Sequence, residues 1–251
     1  MKTHILENQS IYEGNLVLVN RSHPLRQSVN PDNLVPVDSN HADILLADEA
    51  QTMLSQLLNL LDAREKIVPV SGYRSLQEQE TIFRDSMQEN GEAFTLKYVA
   101  IPNCSEHQTG LAIDLGENKP EIDFIRPDFP YTGICQAFRQ QAAQYGFIER
   151  YQAGKEAVTG IGWEPWHFRY IGYPHAVIMQ QHEFALEEYM DYLRDFPEHG
   201  KPLLFEVAGQ TAEISYIRAT GTSVTPLQLP ELSYQLSGNN VDGWICTRWR
   251  K

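Results

Sequence analysis

The chain has 251 residues, 42% of them hydrophobic, enough for one main domain with a sizeable core and at most a small appendage. Its 33 acidic and 20 basic residues give a formal charge of −13, which excludes nonspecific attachment to nucleic acid or an anionic membrane surface, because phosphate contacts need a Lys/Arg excess. The scattered Cys104, Cys135 and Cys246 make neither a disulfide framework nor a CxxC metal pair, and no run approaches the roughly 18 apolar residues of a membrane span.

The N-terminal MKTHILENQSIYEG carries acids and polar residues where a signal peptide needs an apolar run, so a protein of the reducing cytoplasm is expected. Residues 16–19 (LVLV) predict a short buried strand, followed by a polar, Pro-containing loop to about Ser39. Over 43–63, Leu46, Met53, Leu54, Leu57, Leu58 and Leu61 recur near helical spacing and predict one long amphipathic helix. IVPVSGYR is a β-branched run that stops at Ser-Gly, a strand ended by a turn. Ser75 followed three residues later by Glu78 reads as a capping box opening a helix over about 76–90.

Residues 95–101 predict a strand leading into NCSEHQTG, and LAIDL at 111–115 a short apolar strand interrupted by one acid. Residues 117–133, rich in Pro, Asp and Asn, are too irregular for a regular element and long for a connection. Such loops serve as lids, and the position just after Asp114 puts this one at the border of a cleft there. Asp123 and Asp128 within it could meet a substrate amine, with no ground to choose either. A helix over 134–146, strands at FIERY and HFRYI, and a final amphipathic helix over 174–195 complete this part. From Pro202 the texture changes to short β-type runs, LLFEV, EISYIRA, SYQLS and WICTRW, separated by Gly, Pro and Asn. The expected organisation is α+β: a mixed or antiparallel sheet packed with helices over residues 1–198, and a small β-rich appendage over 199–251.

Two stretches carry the chemistry. SEHQTGLAID sets His107 and Asp114 seven residues apart around Gly110, and EPWH sets Glu164 three residues before His167. Imidazole nitrogen and carboxylate oxygen suit zinc, and a catalytic zinc keeps three protein ligands and one open position. A ligand in a polar turn and another on the adjoining strand can reach one metal where Gly110 lets the chain bend, and His167 completes the set. Glu164 is then placed to activate water, and Arg74 in SGYRS is the candidate second positive group for a tetrahedral intermediate.

Each residue alone has a plainer reading. A single His or Asp in a chain of this length is ordinarily structural, and Arg74 alone an ordinary surface ion-pair partner; Ser105 and Gln79 singly read as a turn residue and a solvated helix position. The joint pattern is what points to a metal. Trp163 and Trp166 flank the base and are expected to pack around it, where an apolar wall would also raise its pKa. Cys104, three residues before His107, reads as a turn or packing residue, since a fourth protein ligand would close the metal. His4, His23, His41, His175, His182 and His199 lack ligand spacing and read as surface residues.

SGYRSLQEQ, SEHQTGLAID and EPWH, in this order and at these separations, resemble the D-alanyl-D-alanine metallopeptidases of the VanX/VanY type over the whole run from Ser71 to Tyr173. The N-terminus and β-like tail make it most similar to that family's VanXY group, bifunctional D,D-dipeptidase/D,D-carboxypeptidases of glycopeptide-resistant Gram-positive bacteria. The resemblance implies one Zn2+ per chain on His107, Asp114 and His167, Glu164 as base, Arg74 stabilising the transition state, and substrate contacts from Gln79 and Ser105. It also implies removal of terminal D-Ala from D-Ala-D-Ala and from precursor pentapeptide, which clears vancomycin-binding precursors. The partners it implies are small peptides such as D-Ala-D-Ala and UDP-MurNAc-pentapeptide, with no nucleic acid and no membrane span; a homodimer is left open. One rival is an L,D-carboxypeptidase or peptidoglycan endopeptidase of the same superfamily, for which export would be the discriminator. The other is a non-catalytic zinc-dependent peptide sensor, against which Glu164 and Arg74 speak, because a binder needs no water-activating base.

Overall fold

Strand alternation in four short runs builds the sheet on which the chemistry sits. The computed structural model describes residues 2–207, 209–220, 223–229 and 233–250. By contacts the chain divides into two compact units, Val19–Ala185, and Met1–Leu18 together with Leu186–Lys251.

In the first unit, a four-stranded antiparallel sheet is ordered Ile67–Ser71, Ala112–Glu117, Glu164–Tyr170, Phe147–Tyr151. Successive side chains of a strand point to opposite faces. Ile113, Leu115, Phe168 and Tyr170 therefore share one face and join the main core, with Leu54, Leu57 and Leu58 of helix Asp48–Leu60 and Phe138 of helix Gly133–Ala142. Each such large apolar side chain, once buried, contributes roughly 1.5–3 kcal/mol. The alternate positions Asp114, His167 and Arg169 are buried on the other face. The Leu76–Glu89 helix opens on Ser75 with both halves of the expected capping box.

The second unit holds a four-stranded antiparallel sheet ordered Tyr234–Gly238, Gly243–Arg250, Gln210–Arg218, Leu203–Val207. It also contains a two-stranded antiparallel pair, Lys2–Glu7 with Val224–Leu229. Its core gathers Leu6, Ile11, Ile217, Leu227, Trp244 and Cys246. The fold class is α+β as expected, and every pairing between the named strands is antiparallel.

Several elements differ from the sequence reading. The N-terminal strand pairs with Val224–Leu229, and by contacts Leu186–Leu193 groups with the C-terminal residues. LVLV is buried but forms no ladder; Leu16 N donates to Ser237 Oγ and Leu18 N to Asn239 O. Leu45–Ala47 pairs with Leu34–Pro36, and the long helix starts only at Asp48, where Asp48 and Glu49 favour the positive end of the helix dipole. Residues 95–98 are not strand but the end of helix Glu92–Tyr98, entered from Gly91 at φ 79°. Thr95 is hydrogen-bonded to Ser86 of the neighbouring helix, a packing contact that outweighs the local β preference. The predicted final helix is two, His175–His182 and Leu186–Leu193, because Glu183 turns to φ 54°. His175, expected at the surface, is buried.

Candidate active site

Strand register brings the site together. Asp114 lies opposite Ser71 on one side and His167 on the other. Arg74 follows Ser71 past the strand end, and Glu164 opens the strand that carries His167. His107 arrives from the 3-10 turn Glu106–Thr109, which Gly110 ends at φ 70°. A Cβ on Gly110 would stand 2.6 Å from Leu34 Cδ2, the movable end of a side chain, so the left-handed conformation is what calls for glycine.

His107, Asp114 and His167 are buried, and one ligand atom from each falls within 4.8 Å of the others. Among the described residues no other His, Cys, Asp or Glu group of this kind forms. His107 Nε2 lies 3.1 Å from Asp114 Oδ2, and His167 Nδ1 lies 2.9 Å from Asp114 Oδ1. His107 Nδ1 is 2.7 Å from the Gly72 carbonyl, which can only accept, so Nδ1 carries the proton and Nε2 is free to ligate. Two imidazoles and one carboxylate make a donor set that can hold a metal ion.

Glu164 Oε2 lies 3.9 Å from His167 Nδ1. Burial pushes the Glu164 carboxyl up to about 8, with His167 working against it and Asp114 adding to it. His107 is pushed down to about 4, by burial and then by Arg74. Burial also opposes charge on His167, but its bonds to Asp114 and Glu106 prevail and push it up to about 9. Burial works against the Asp114 charge too, and the two histidines override it and hold the carboxyl below its usual range.

The Arg74 guanidinium is fixed on three sides: Nε donates to Ser71 Oγ at 2.9 Å, Nη1 to Gln79 Oε1 at 3.4 Å, and Nη2 to Asp114 Oδ2 at 3.0 Å. Arg74, Ser105, His107, Asp114, Glu164 and His167 line one cavity. Gln79 does not line it. Its side chain is fully buried behind Arg74, and Nε2 donates to the Ala100 carbonyl at 2.8 Å. Trp166 lines the cavity and joins the main core, whereas Trp163 is 43% exposed, stacks on Tyr131 and donates Nε1 to its hydroxyl at 3.2 Å. Packing around the base therefore falls to Trp166. Cys104 is a free, half-buried thiol.

The long loop reaches the site through Phe124 and Ile125, which line the cavity; the Arg74 guanidinium carbon is 6.0 Å from the Phe124 ring centre. Asp123 Oδ1 accepts from the backbone of Ile125 and Arg126 and shapes the loop. Asp128 is bound to Lys119. Three buried charges near His167 escaped the sequence reading: Glu106, Arg150 and Arg169. Their signal was an arginine within each of the strand runs FIERY and HFRYI, and an acid directly before the ligand histidine. Tyr151 was missed as well; its ring lies 4.8 Å from that of His167.

The profile of the VanY family, described as D-alanyl-D-alanine carboxypeptidase, matches residues 43–173. The chain is 42% identical over 179 residues to the bifunctional D-Ala-D-Ala dipeptidase and D-Ala-D-Ala carboxypeptidase VanXYC of Enterococcus gallinarum, covering 71% of this chain and 94% of that one. A crystal structure of the vancomycin resistance D,D-dipeptidase VanXYg with a D-Ala-D-Ala phosphinate analogue superposes at TM-score 0.96, with 52% identity over 99% of both chains. A Zn(II) complex of the D,D-pentapeptidase VanY from a VanB-type cassette superposes at TM-score 0.57, with 27% identity over 71% of this chain and 99% of that one. Fold and site together define a metallopeptidase. The chain belongs to the VanY family of D-alanyl-D-alanine carboxypeptidases.

Proposed function

We propose that this protein removes the terminal D-Ala both from the D-Ala-D-Ala dipeptide and from peptidoglycan precursors such as UDP-MurNAc-pentapeptide, with one zinc ion held by His107, Asp114 and His167. The observation that carries this reading is the buried His–Asp–His donor set with Glu164 and Arg74 on the same cavity. A bound zinc supplies Lewis acidity, lowering the pKa of water to about 7 and polarising a carbonyl.

The chain's own residues do the rest. Glu164 must be ionised to accept a proton from the attacking water, and a cation on the neighbouring ligands favours that form against burial. It then hands the proton to the departing amine of D-alanine. Arg74, locked by Ser71 and Gln79, presents a pre-oriented guanidinium to the charge that develops on the scissile carbonyl oxygen. Ser105 contacts the substrate from the cavity wall, and Gln79 acts through Arg74. Phe124 and Ile125 border the space that a longer precursor must share with the dipeptide.

Clearing precursors that end in D-Ala-D-Ala removes what vancomycin binds, which places the reaction in glycopeptide resistance. We assign it to the cytoplasm, where precursors are made; the three free thiols suit a reducing compartment. No helix among the described residues is long and apolar enough to cross a membrane.

The test is D-alanine release from both substrates by wild type and Glu164→Ala at equal zinc occupancy. Release from both, lowered about 10²–10⁴-fold in the variant, is expected. No release from either by zinc-loaded wild type would overturn the reading in favour of L,D-substrates or a sensor.

A further inference from the structure

Beneath His167 lies a charge cluster that the reaction as described does not use. Glu106 is buried, as are Arg150 and Arg169, and none of the three side chains has solvent exposure. The Glu106 carboxylate is divided between its partners. Oε1 accepts from Arg150 Nε at 2.9 Å, and Arg169 Nη1 lies 3.0 Å from the same oxygen, close enough for charge pairing without a well-aligned hydrogen bond. Oε2 is 3.4 Å from His167 Nε2. Burying an Arg–Glu–Arg trio is costly, and apolar residues of similar volume often serve stability as well or better. Its presence directly behind a ligand histidine calls for a reason.

We propose that Glu106 is a positioning residue for the metal centre: its carboxylate accepts the Nε2–H of His167 and so turns Nδ1 toward the metal position. This rests on the metal-site reading above. A carboxylate with both arginines on one oxygen can only accept at the other, so His167 Nε2 must be the donor. Nδ1 is the nitrogen that faces Asp114 Oδ1, at 2.9 Å, where a bound metal would displace any proton it carries. The two ligand histidines thus have different supports. His107 leans on the neutral Gly72 carbonyl through Nδ1 and ligates through Nε2, whereas His167 leans on a carboxylate and ligates through Nδ1. A carboxylate behind an imidazole raises its basicity as well as fixing its plane. Arg150 and Arg169, on neighbouring strands of the sheet, hold the carboxylate direction, and the Tyr151 ring limits rotation of the imidazole from another side.

The experiment uses the full-length zinc enzyme, with Glu106→Gln compared to wild type and to Leu57→Ala, a core change away from the site. Zinc affinity is read by competition with a chelator, ligand geometry by the visible spectrum of the cobalt-substituted protein, and stability by Tm. Glu106→Gln is expected to weaken zinc binding about 10–100-fold and to alter the cobalt spectrum. Leu57→Ala is expected to lower Tm alone. Zinc affinity within two-fold of wild type and an unchanged spectrum in Glu106→Gln would overturn the proposal, whatever its Tm. If that variant does not fold, imidazole nitrogen NMR of zinc-loaded wild type decides: a protonated Nε2 and ligating Nδ1 on His167 support the proposal, and the reverse overturns it. A wild type that hydrolyses D-Ala-D-Ala but fails these readouts sinks only this inference. A wild type that binds neither metal sinks the metal-site reading with it.

Discussion

Charged side chains buried on one face of a sheet need partners, and at the residue scale each partner here also fixes an orientation. Arg74 shows the point. Its three donors meet Ser71, Gln79 and Asp114, a fork that the point charge of a lysine cannot reproduce. Arg74→Lys is expected to lower kcat on D-Ala-D-Ala by about 10²–10³-fold, the scale of losing an oxyanion donor, at unchanged zinc content. Steady-state kinetics beside metal analysis check this; a loss of zinc in parallel with activity would assign Arg74 to ligand support instead. His175 gives a prediction about stability. Burial alone pushes it down to about 3, whereas in the unfolded chain it titrates near 6.5. Between those values the unfolded state binds more protons, so stability falls as pH drops below about 6.5, by up to about 1.4 kcal/mol per pH unit, and the effect is absent above that. Denaturant titrations of wild type and His175→Gln from pH 7 to 4 should show the stability gap moving in the variant's favour. A gap that stays flat would count against this account.

At the element scale the SEHQTGLAID segment works because a 3-10 turn and a strand meet at Gly110. Gly110→Ala forces a Cβ into left-handed backbone and against Leu34, and is expected to cost at least about 1–2 kcal/mol and to misplace His107 relative to Asp114. Thermal melts with zinc titration test it, and a Tm and zinc affinity equal to wild type would refute it. The loop over 117–133 is anchored at its base, where Glu117 N donates to Asp128 O at 2.8 Å, while its tip supplies Phe124 and Ile125 to the cavity. Removing the tip and keeping that anchor is expected to shift the ratio of kcat/KM between dipeptide and precursor. Equal ratios before and after would exclude the loop from substrate choice. The loop's irregularity was legible in Pro, Asp and Asn, but its aim was not, because Asp123 spends its carboxylate on backbone amides and turns apolar residues to the cleft.

On the scale of the whole molecule, the site residues all belong to the Val19–Ala185 unit, while the other unit closes with an N-terminal strand on Val224–Leu229. A fragment ending at residue 198 removes that partner strand. Amide exchange across Lys2–Glu7 is expected to become fast in such a fragment and to stay protected in the full chain; equal protection in both would show that this strand is held by other contacts.

The sequence by itself determined the α+β class, the catalytic sheet's strands, the capping box at Ser75, and the His107, Asp114, Glu164 and His167 motifs. Those features depend on spacing of two to seven residues along the chain, so local periodicity and turn chemistry suffice to read them. The tertiary structure alone decided the strand order that sets Asp114 between Ser71 and His167, the helix in place of a strand at 95–98, and the burial of His175. It also decided that Gln79 stands behind Arg74 and that Glu106 meets Arg150 and Arg169. The strand order and the Glu106 cluster rest on contacts between residues tens of positions apart, and a charge inside a strand announces that it needs a partner without saying which one.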